Sequence, residues 1–206
     1  MAKSNSSSNA GSPARTLARR GASNAAGFSL LEVLVATALL ASALVSLAQL
    51  FAMSTKSNIG SRNTTYAAVL AQQKLEELRS LAWGFDQVGL PISDISTDTT
   101  STPEPSAGGT GLSPSPQTSL SDNTDGWVDY LDSWGNKLGG GVNPPQNAIY
   151  TRRWMVSPVP TNPNNTLVIQ VLVFRSSKVR GEADAGAVKR LPEEARMITV
   201  KTRKAR

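Results

Sequence analysis

The longest apolar stretch of the chain lies near its N-terminus. Residues 28–53 form a run of 26 residues with one charged side chain, Glu32. As an α-helix this run would extend about 39 Å, which exceeds the roughly 30 Å thickness of a hydrocarbon core. The rest of the chain is too small and too polar to surround so apolar a helix. We therefore predict that residues 28–53 lie in a membrane.

The basic residues before this run orient it. Lys3, Arg15, Arg19 and Arg20 precede it without any acid, and the positive-inside rule then places the N-terminus in the cytoplasm. The bulk of the protein would lie on the other side of the membrane. A cleaved secretory signal with a site at Ala41-Ser42-Ala43 is the alternative. It is disfavoured because the apolar run continues past that site and because Glu32 lies near its beginning.

A second helical pattern follows the apolar run. Residues 54–65 are poor helix formers, and Gly60 costs about 1 kcal/mol relative to alanine. In residues 66–83, by contrast, apolar side chains recur at steps of three or four: Ala67, Leu70, Ala71, Leu75, Leu78 and Ala82. The sequence thus predicts one helix from 28 to 83, which Gly84 ends and whose second half packs on a sheet.

The C-terminal part of the chain has the pattern of a sheet. Residues 84–126 are expected to form a flexible, exposed loop, because Ser, Thr, Pro, Gly and Asp dominate them. Strand-like runs then follow at 126–132, 148–156, 166–174 and 195–202. The run at 166–174 is apolar on both faces and is expected to be the central strand, and Ile198 and Val200 are expected to point inward. We predict an antiparallel meander and an α+β fold.

In the run at 148–156, alternate positions share one face of the predicted strand. The residues on that face are Tyr150, Arg152, Trp154 and Val156.

Composition excludes several classes of chemistry. The 206 residues include no His and no Cys. Disulfides, thiol nucleophiles and every triad based on histidine are therefore excluded, and no carboxylate pair has a recognisable catalytic setting. We expect that the protein is not an enzyme and has no cofactor.

Charge is distributed unevenly along the chain. Lys and Arg number 21 against 15 Asp and Glu, but none of these basic residues lies between Ser80 and Asn136. The basic C-terminal tail has no interleaved aromatic residues, so we expect no nucleic-acid partner. As a hypothesis, Arg203 and Lys204 contact the acidic region 86–132 of a neighbouring subunit.

A partial calcium-loop spacing occurs before the first predicted strand. Asn123, Asp125, Asp129 and Asp132 occupy the third, fifth, ninth and twelfth places of an EF-hand-like loop. Ser121 replaces the usual first aspartate, and Asp132 is shorter than the usual bidentate glutamate. A plain turn before a strand is favoured over a calcium site.

The segment Gly27-Phe-Ser-Leu-Leu-Glu32-Val-Leu-Val-Ala36 resembles the prepilin cleavage and methylation motif of type IV pilins and type II secretion pseudopilins. The resemblance implies that a prepilin peptidase of the membrane cuts after Gly27 and that Phe28 becomes N-methylated. It also implies that Glu32 meets the N-terminal amine of a neighbouring subunit. A carboxylate and an ammonium, each costly in lipid, would neutralise one another there.

With this resemblance, the chain divides into five regions: a cytoplasmic leader at 1–27 that is removed, a transmembrane and assembly helix at 28–53, a periplasmic half of the helix at 54–83, a loop at 84–126 and the sheet region at 127–206. In relatives the central part of the helix can loosen within the filament, and residues 54–65 are the corresponding part here. The partners implied are the peptidase, other pilin or pseudopilin subunits, an inner-membrane assembly platform and membrane lipid.

The function implied is that of a minor pilin-like structural subunit, anchored in a bacterial inner membrane and then drawn into a type IV pilus-type filament. It would initiate or modulate assembly. One alternative is a minor pseudopilin of type II secretion, which acts in protein export. An alternative of another class is a signal-anchored periplasmic binding module that does not polymerise.

Overall fold

The computed structural model describes residues 27–100, 106–176 and 193–203, and the elements in these ranges form an α+β fold as predicted. The helix α1 spans Leu30–Ser80 and has 51 residues. The strands are β1 Trp83–Phe85, β2 Pro91–Ser93, β3 Thr97–Asp98, β4 Ser106–Ala107, β5 Val128–Leu131, β6 Lys137–Gly140, β7 Tyr150–Pro158, β8 Thr166–Arg175 and β9 Ala195–Thr202. The chain divides into two compact units, 1–49 and 50–206, and each is described by itself.

In the first unit, the described residues are the start of α1 and the three residues before it. Within the described residues, α1 is the one helix that is long and apolar enough to cross a membrane, with a mean hydropathy of 2.3 over its most apolar 18-residue window. Its side chains there are exposed throughout. An exposed apolar helix of this length fits the prediction that residues 28–53 lie in a membrane.

In the second unit, α1 packs on the five-stranded sheet through the predicted apolar stripe. Ala67, Leu70, Ala71, Leu75 and Leu78 are all buried, which confirms the helical periodicity at those positions. Ala82 was assigned wrongly, because it is exposed and lies beyond the end of the helix.

The helix ends three residues earlier than predicted, at Ser80. The ammonium of Lys201 donates hydrogen bonds to the carbonyls of Leu78, Arg79 and Leu81, so a cation satisfies the free acceptors of the last turn. The chain then turns into β1, which pairs with β2 in an antiparallel hairpin. Residues 54–65 are helical despite their composition; whether they loosen in a filament stays a prediction.

The main sheet is antiparallel, as predicted, with the strand order β6-β5-β7-β8-β9. The middle strand is β7, and not the run at 166–174 as expected. The charged side chains of Arg152 and Arg153 do not keep β7 at an edge of the sheet. Both have partners inside the fold and are buried. The predicted meander also misses β6, which pairs on the outer side of β5.

The predicted alternation along β7 is confirmed. Tyr150, Arg152, Trp154 and Val156 share one face of β7 and are buried.

In the edge strand β9, the side chains that were predicted to point inward face away from the helix. Ile198 and Val200 are 60% and 58% exposed, whereas Ala195 is buried on the face toward the helix. Because side chains alternate along a strand, Lys201 can reach the end of α1 only if Ile198 and Val200 face away from it. The hydrogen bonds of Lys201 to the end of α1 thus go together with this orientation of the β9 side chains.

The exposed loop expected at 84–126 is more ordered than predicted. The described parts of this region contain β2 and β4, and Thr99, Leu112 and Ser119 are buried there. Residue 115 also pairs with the middle strand, since Ser115 N donates to the carbonyl of Val156 at 2.9 Å. Short polar side chains satisfy the turns of this segment, so that it needs little apolar burial of its own.

A buried carboxylate joins the helix to the sheet. Asp129 on β5 is fully buried and accepts two hydrogen bonds from Arg152, Nε to Oδ1 at 2.9 Å and Nη2 to Oδ2 at 2.8 Å. Lys74 of α1 lies 3.3 Å from Oδ2 of the same carboxylate. Arg152 also donates to the carbonyl of Leu70 at 3.0 Å, and Lys74 donates to that of Thr99 at 2.5 Å. The Asp129 carboxylate therefore binds a cation from α1 and another from β7.

A half-buried pair extends this network. Lys137 on β6 donates to Glu77 of α1 at 2.6 Å and to the carbonyl of Thr99 at 2.9 Å. The ammonium of Lys74 lies 3.9 Å from the centre of the Trp154 ring. The helix is thereby bonded to β5, β6 and β7 and to the residue after β3.

Burial and neighbouring charges both act on the pKa values in the network. Burial lowers the pKa of Lys74 from its ordinary 10.5 to about 8, against the opposing attraction of Asp129. Burial alone would raise the pKa of Asp129, but the charges of Lys74 and Arg152 bring it below its ordinary value. The carboxylate is therefore ionised and its cations are held beside it.

Replacing Asp129 by Asn should destabilise the protein, because the buried cations of Lys74 and Arg152 lose the carboxylate that they share, although Lys74 keeps its contact with Glu77 at 3.3 Å. We expect a loss of about 3–5 kcal/mol in the free energy of unfolding. The measurement is urea unfolding of the full chain in detergent. The exposed Asp125→Asn is the matched control and should change stability by less than about 0.5 kcal/mol. Equal effects of the two variants would contradict this account of the network.

Replacing Lys74 by Met should remove a pH dependence of the free energy of unfolding. Lys74 binds its proton less tightly in the folded state, so the unfolded state holds more protons between pH 8 and 10.5 and stability rises with pH across that window. Relative to the Met variant, the free energy of unfolding of the parent should increase by about 3 kcal/mol from pH 7 to pH 11, since each pKa unit corresponds to about 1.4 kcal/mol. Parallel stability profiles for the two proteins would show that Lys74 is not held as described.

Candidate processing and assembly site

The peptide bond between Gly27 and Phe28 lies in the exposed segment that precedes α1. Phe28 is 82% exposed, and nothing lies within 4 Å of the place where a side chain on Gly27 would begin. Neither residue belongs to a helix or a strand. A peptidase therefore has access to this bond without unfolding an element of the chain.

The start of the helix follows from its first residues. Ser29 accepts the first helical hydrogen bond, from Val33 N at 3.1 Å, and so occupies the N-cap position. Glu32 then stands three residues on, which is the serine-to-glutamate spacing of a capping box. An acid in the first turn also interacts favourably with the helix dipole. The spacing and the position in the first turn thus favour an acid at residue 32 even in the isolated chain.

The surroundings of Glu32 are apolar. A shallow surface groove in this part of α1 is lined by Ser29, Leu31, Glu32, Val35, Ala36 and Leu39. Val35, Ala36 and Leu39 follow Glu32 at three, four and seven residues, so they lie on the same side of the helix. A carboxylate set at the head of an apolar stripe attracts a cation once water is removed from around it.

The large apolar side chains of this segment are exposed. Exposed apolar residues continue along the helix, and they include Leu30, Leu34, Leu40, Leu44, Leu47, Leu50 and Phe51. A continuous surface of this kind is typical of a membrane or a protein interface. Phe28 and Glu32 thus stand at one end of an apolar rod that requires lipid or neighbouring helices.

The four calcium-loop candidates are not brought together by the fold. Asp129 faces α1 and binds Lys74 and Arg152, whereas the amide oxygen of Asn123 accepts bonds from Arg153 on the other face of the sheet. Asp125 is exposed. Among the described residues, no group of three or more acidic side chains is placed to hold a metal ion. The EF-hand-like spacing does not correspond to a ligand cluster.

Asp132, the fourth candidate, stabilises its own turn. Its carboxylate accepts hydrogen bonds from the backbone of Trp134 at 2.8 Å and of Asn136 at 2.9 Å. The side-chain amide of Asn136, which also donates to it at 2.9 Å, is the main reason why the pKa of Asp132 is lowered. This agrees with the favoured interpretation, a plain turn next to a strand.

Arg203 lies within the chain's own fold and not at a free surface. It donates to the carbonyl of Gly84 at 3.0 Å and of Ile92 at 2.7 Å, and its guanidinium stacks 3.8 Å from the centre of the Trp83 ring. These contacts anchor the β1–β2 hairpin. The hypothesis that Arg203 contacts a neighbouring subunit is therefore corrected, and Lys204 lies outside the described residues.

The ionic network of Lys74, Asp129 and Arg152 was missed by the sequence analysis, although two signals were present. Lys74 stands at helical spacing between Ala71 and Leu78 on the apolar stripe. Arg152 shares the buried face of β7 with Trp154. A charge at a position that the pattern marks as buried requires a partner, and the neighbouring strand supplies Asp129.

Comparison with known proteins bears on the N-terminal segment alone. Residues 22–48 match the family model of the prokaryotic N-terminal methylation motif, and this match supports the type IV pilin and pseudopilin family. No curated protein and no solved structure matches the chain. The matched residues include Gly27, Phe28 and Glu32, so the family resemblance read from these residues is confirmed.

Proposed function

We propose that this chain, which carries the N-terminal methylation motif of the type IV pilin and pseudopilin family, is a minor pilin-like subunit that initiates or modulates a type IV pilus-type filament. Proteins with this motif are in general structural and not enzymatic. The observation that carries the proposal is the arrangement at the start of α1. An accessible Gly27–Phe28 bond, an apolar helix without cover and a single acid in its first turn occur together.

Cleavage after Gly27 would change the chemistry of the helix end. It removes the leader at 1–27 and leaves Phe28 with a new, methylated α-amino group. That group carries a positive charge near neutral pH, since the pKa of an α-amino group is about 7.7–8.0. The helix then has one cation and one anion, four residues apart, at the start of an otherwise apolar surface.

Pairing between neighbouring subunits would stabilise both charges. A lone carboxylate in a membrane helix costs about 2.5–3.5 kcal/mol on insertion scales. When Glu32 of one subunit meets the Phe28 amine of the next, each charge gains a partner in a medium of low dielectric constant. The pair would also set the register of adjacent helices, because any other stagger leaves two charges in an apolar environment.

The proposed location follows from the same segment. The helix at 28–53 anchors the subunit in the inner membrane, with its N-terminus in the cytoplasm, before the subunit is drawn into a filament. The remainder of α1 and the sheet region would then lie in the periplasm. The prepilin peptidase, other subunits and the assembly platform are the partners that this cycle requires.

A minor pseudopilin of type II secretion remains the alternative within the family, because the same motif serves both systems. The genes next to the one for this chain separate the two. A secretin with a secretion ATPase indicates export, and a retraction ATPase with pilus tip proteins indicates a pilus.

The mass of the mature protein tests the processing step. We expect residues 28–206 plus one methyl group on Phe28, because the motif marks the bond after Gly27 for cleavage and that bond is accessible. Intact mass spectrometry of protein isolated from cell membranes provides the measurement. In a Gly27→Leu variant the precursor should persist uncut. A mature chain that begins at any other residue would refute the family mechanism.

Replacing Glu32 by Gln tests the assembly role separately from helix capping. Glutamine still fits the capping box, so the helix should begin unchanged, but its side chain carries no charge for the amine of a neighbour. We expect incorporation into filaments to fall at least about tenfold, which corresponds to about 1.4 kcal/mol. Quantitative immunoblotting of sheared filaments against the membrane fraction gives the ratio.

The matched control is Thr37→Val, an uncharged change of similar size on the same exposed helix, which should assemble like the parent. A mere membrane anchor should insert as well or better without the charge. If the Gln variant assembles as well as the parent, Glu32 is only a capping residue.

A further inference from the structure

The five-stranded sheet ends in two edge strands, β6 and β9, which differ in how they are protected from pairing with a further strand. β6 has four residues, two of them glycine, and its register with β5 shifts between Tyr130 and Leu131. Short length and an irregular register protect an edge. β9 has eight residues and pairs with β8 in one continuous register from Ala195 to Thr202. Within the described residues, β8 is the one strand that pairs with β9.

The ladder with β8 shows which backbone groups of β9 lie at the outer edge. The N–H of Arg203 donates to the carbonyl of Asn165 at 2.8 Å, and the register continues from this pair into Thr202 and Thr166. In an antiparallel ladder, residues whose backbone groups face the partner strand alternate with residues whose groups face away. Residues 196, 198, 200 and 202 therefore direct their N–H and C=O groups out of the sheet. We call these four residues the edge row.

The side chains of the edge row face away from α1 and are exposed. Two of them, Ile198 and Val200, are apolar and β-branched, and they are 60% and 58% exposed. Edge strands commonly carry proline or charged side chains that discourage further pairing. The edge row has no proline and one charge, Arg196, at its start. Lys201, the other charge of β9, bonds to the end of α1 on the opposite face. The middle of β9 is thus suited to pair with another strand.

Arg196 requires a counter-charge from outside the described parts of the chain. Its side chain is exposed, and the described residues offer it neither a hydrogen bond nor an ion pair. Its neighbour across the ladder on β8 is Leu172, which is apolar. An acid opposite Arg196 on an added strand would form a favourable cross-strand pair.

The charges of the edge strands favour a different polypeptide over a second copy of this chain. β9 contains Arg196 and Lys201 but no acid, and β6 contains Lys137 but no acid. If two β9 strands paired, Arg196 would lie opposite a neutral or basic residue in every register within the two strands. Like charges directly opposite one another destabilise such a pair. The acid has to come from another sequence.

We propose that the edge row of β9 is a docking site for an extended segment of a different protein. The segment pairs antiparallel with residues 196–202 and adds a sixth strand to the five-stranded sheet. Main-chain hydrogen bonds supply the affinity of such a contact, and alternate side chains supply its selectivity. The segment has an acid opposite Arg196 and apolar residues opposite Ile198 and Val200. This goes beyond the proposed function, which assigns no partner to β9.

A designed peptide tests the site on the full chain purified in detergent. When the fluorescein-labelled sequence Thr-Val-Thr-Val-Thr-Glu-Thr pairs antiparallel, its valines lie opposite Val200 and Ile198 and its glutamate lies opposite Arg196. We expect saturable binding in titrations followed by fluorescence anisotropy. Absence of saturable binding up to about 1 mM peptide overturns the proposal.

Methylation of the peptide backbone distinguishes strand pairing from adhesion to an apolar surface. N-methyl groups on the two valines remove N–H groups that face β9, whereas N-methyl groups on the two threonines that follow the valines remove N–H groups that face solvent. We expect the first peptide to bind at least about tenfold more weakly than the second, because it alone loses hydrogen bonds to the edge row. Equal binding of the two peptides overturns the proposal.

Replacing Val200 by Pro tests the same contact from the side of the protein. Proline is tolerated at an edge position whose N–H faces outward, but it removes that donor and blocks the approach of a strand. We expect Val200→Pro to weaken peptide binding at least about tenfold. The matched control, Val200→Thr, keeps the N–H and the branched shape and should bind within about threefold of the parent. Unweakened binding by the proline variant overturns the proposal.

Urea unfolding checks that the proline variant is folded. If it is not, the comparison of the two N-methylated peptides decides, because it uses the unchanged protein.

A charge exchange tests the role of Arg196. The parent should bind the peptide with glutamate at least about threefold more tightly than the same peptide with lysine in that position, and Arg196→Glu should reverse this preference. A preference that Arg196→Glu leaves unchanged overturns the assignment of the acid to the position opposite Arg196.

Sedimentation of the parent without peptide tests the other occupant. A dimer that forms in the parent and is lost in Val200→Pro would mean that a second copy fills the edge, which overturns the assignment to a different protein. All of these measurements use the purified chain and do not depend on filament assembly. The mature mass and filament incorporation report on the proposed function separately.

Discussion

The first part of α1 has more apolar surface than its own chain covers, and this constraint determines what the protein requires. A helix segment whose leucine, valine and phenylalanine side chains are exposed over its length is unstable in water. Lipid covers that surface in a membrane, and neighbouring helices would cover it in a filament. Glu32 distinguishes the two environments, because lipid offers it no partner and a neighbouring N-terminus offers an amine. In the proposed function, Glu32 would therefore make the membrane a costly location for the helix and the filament a favourable one.

The second part of α1 has a different role, because it packs against a small sheet although much of its own surface is polar. Its apolar stripe contributes the burial, but the stripe is interrupted by Lys74, and the sheet places Asp129 and Arg152 against it. A buried ionic network of this kind is weak evidence for extra stability, since desolvation offsets much of the attraction. Its directional bonds to β5, β7 and the carbonyl of Thr99 instead define how the sheet and the following segment sit on the helix.

Much of the architecture could be predicted from the sequence, because it depends on periodicity. The spacing of Leu70, Leu75 and Leu78 predicted the helix face, and the alternation through Trp154 predicted the buried face of β7. The errors have a common cause in polar side chains with partners that are distant in the sequence. The partners of Arg152 inside the fold could not be predicted, and with them the central position of β7. The contact of Lys201 with the end of α1 places Ile198 and Val200 on the opposite face from the one predicted. Arg203 was expected to contact a partner subunit, but its contacts lie in its own chain. The methylation motif was recognisable for the opposite reason, since Gly27, Phe28 and Glu32 form one short continuous segment.

The most direct test of the central claim is the distance between charges in an assembled filament that contains this protein. An electron cryomicroscopy map that resolves the helix core would show the Phe28 nitrogen and the carboxylate of Glu32. The account predicts that the nitrogen of one subunit lies within about 4 Å of a Glu32 oxygen of the adjacent subunit, the range of an ion pair. A Glu32 carboxylate that faces lipid, or that pairs only with the amine of its own chain, would contradict it.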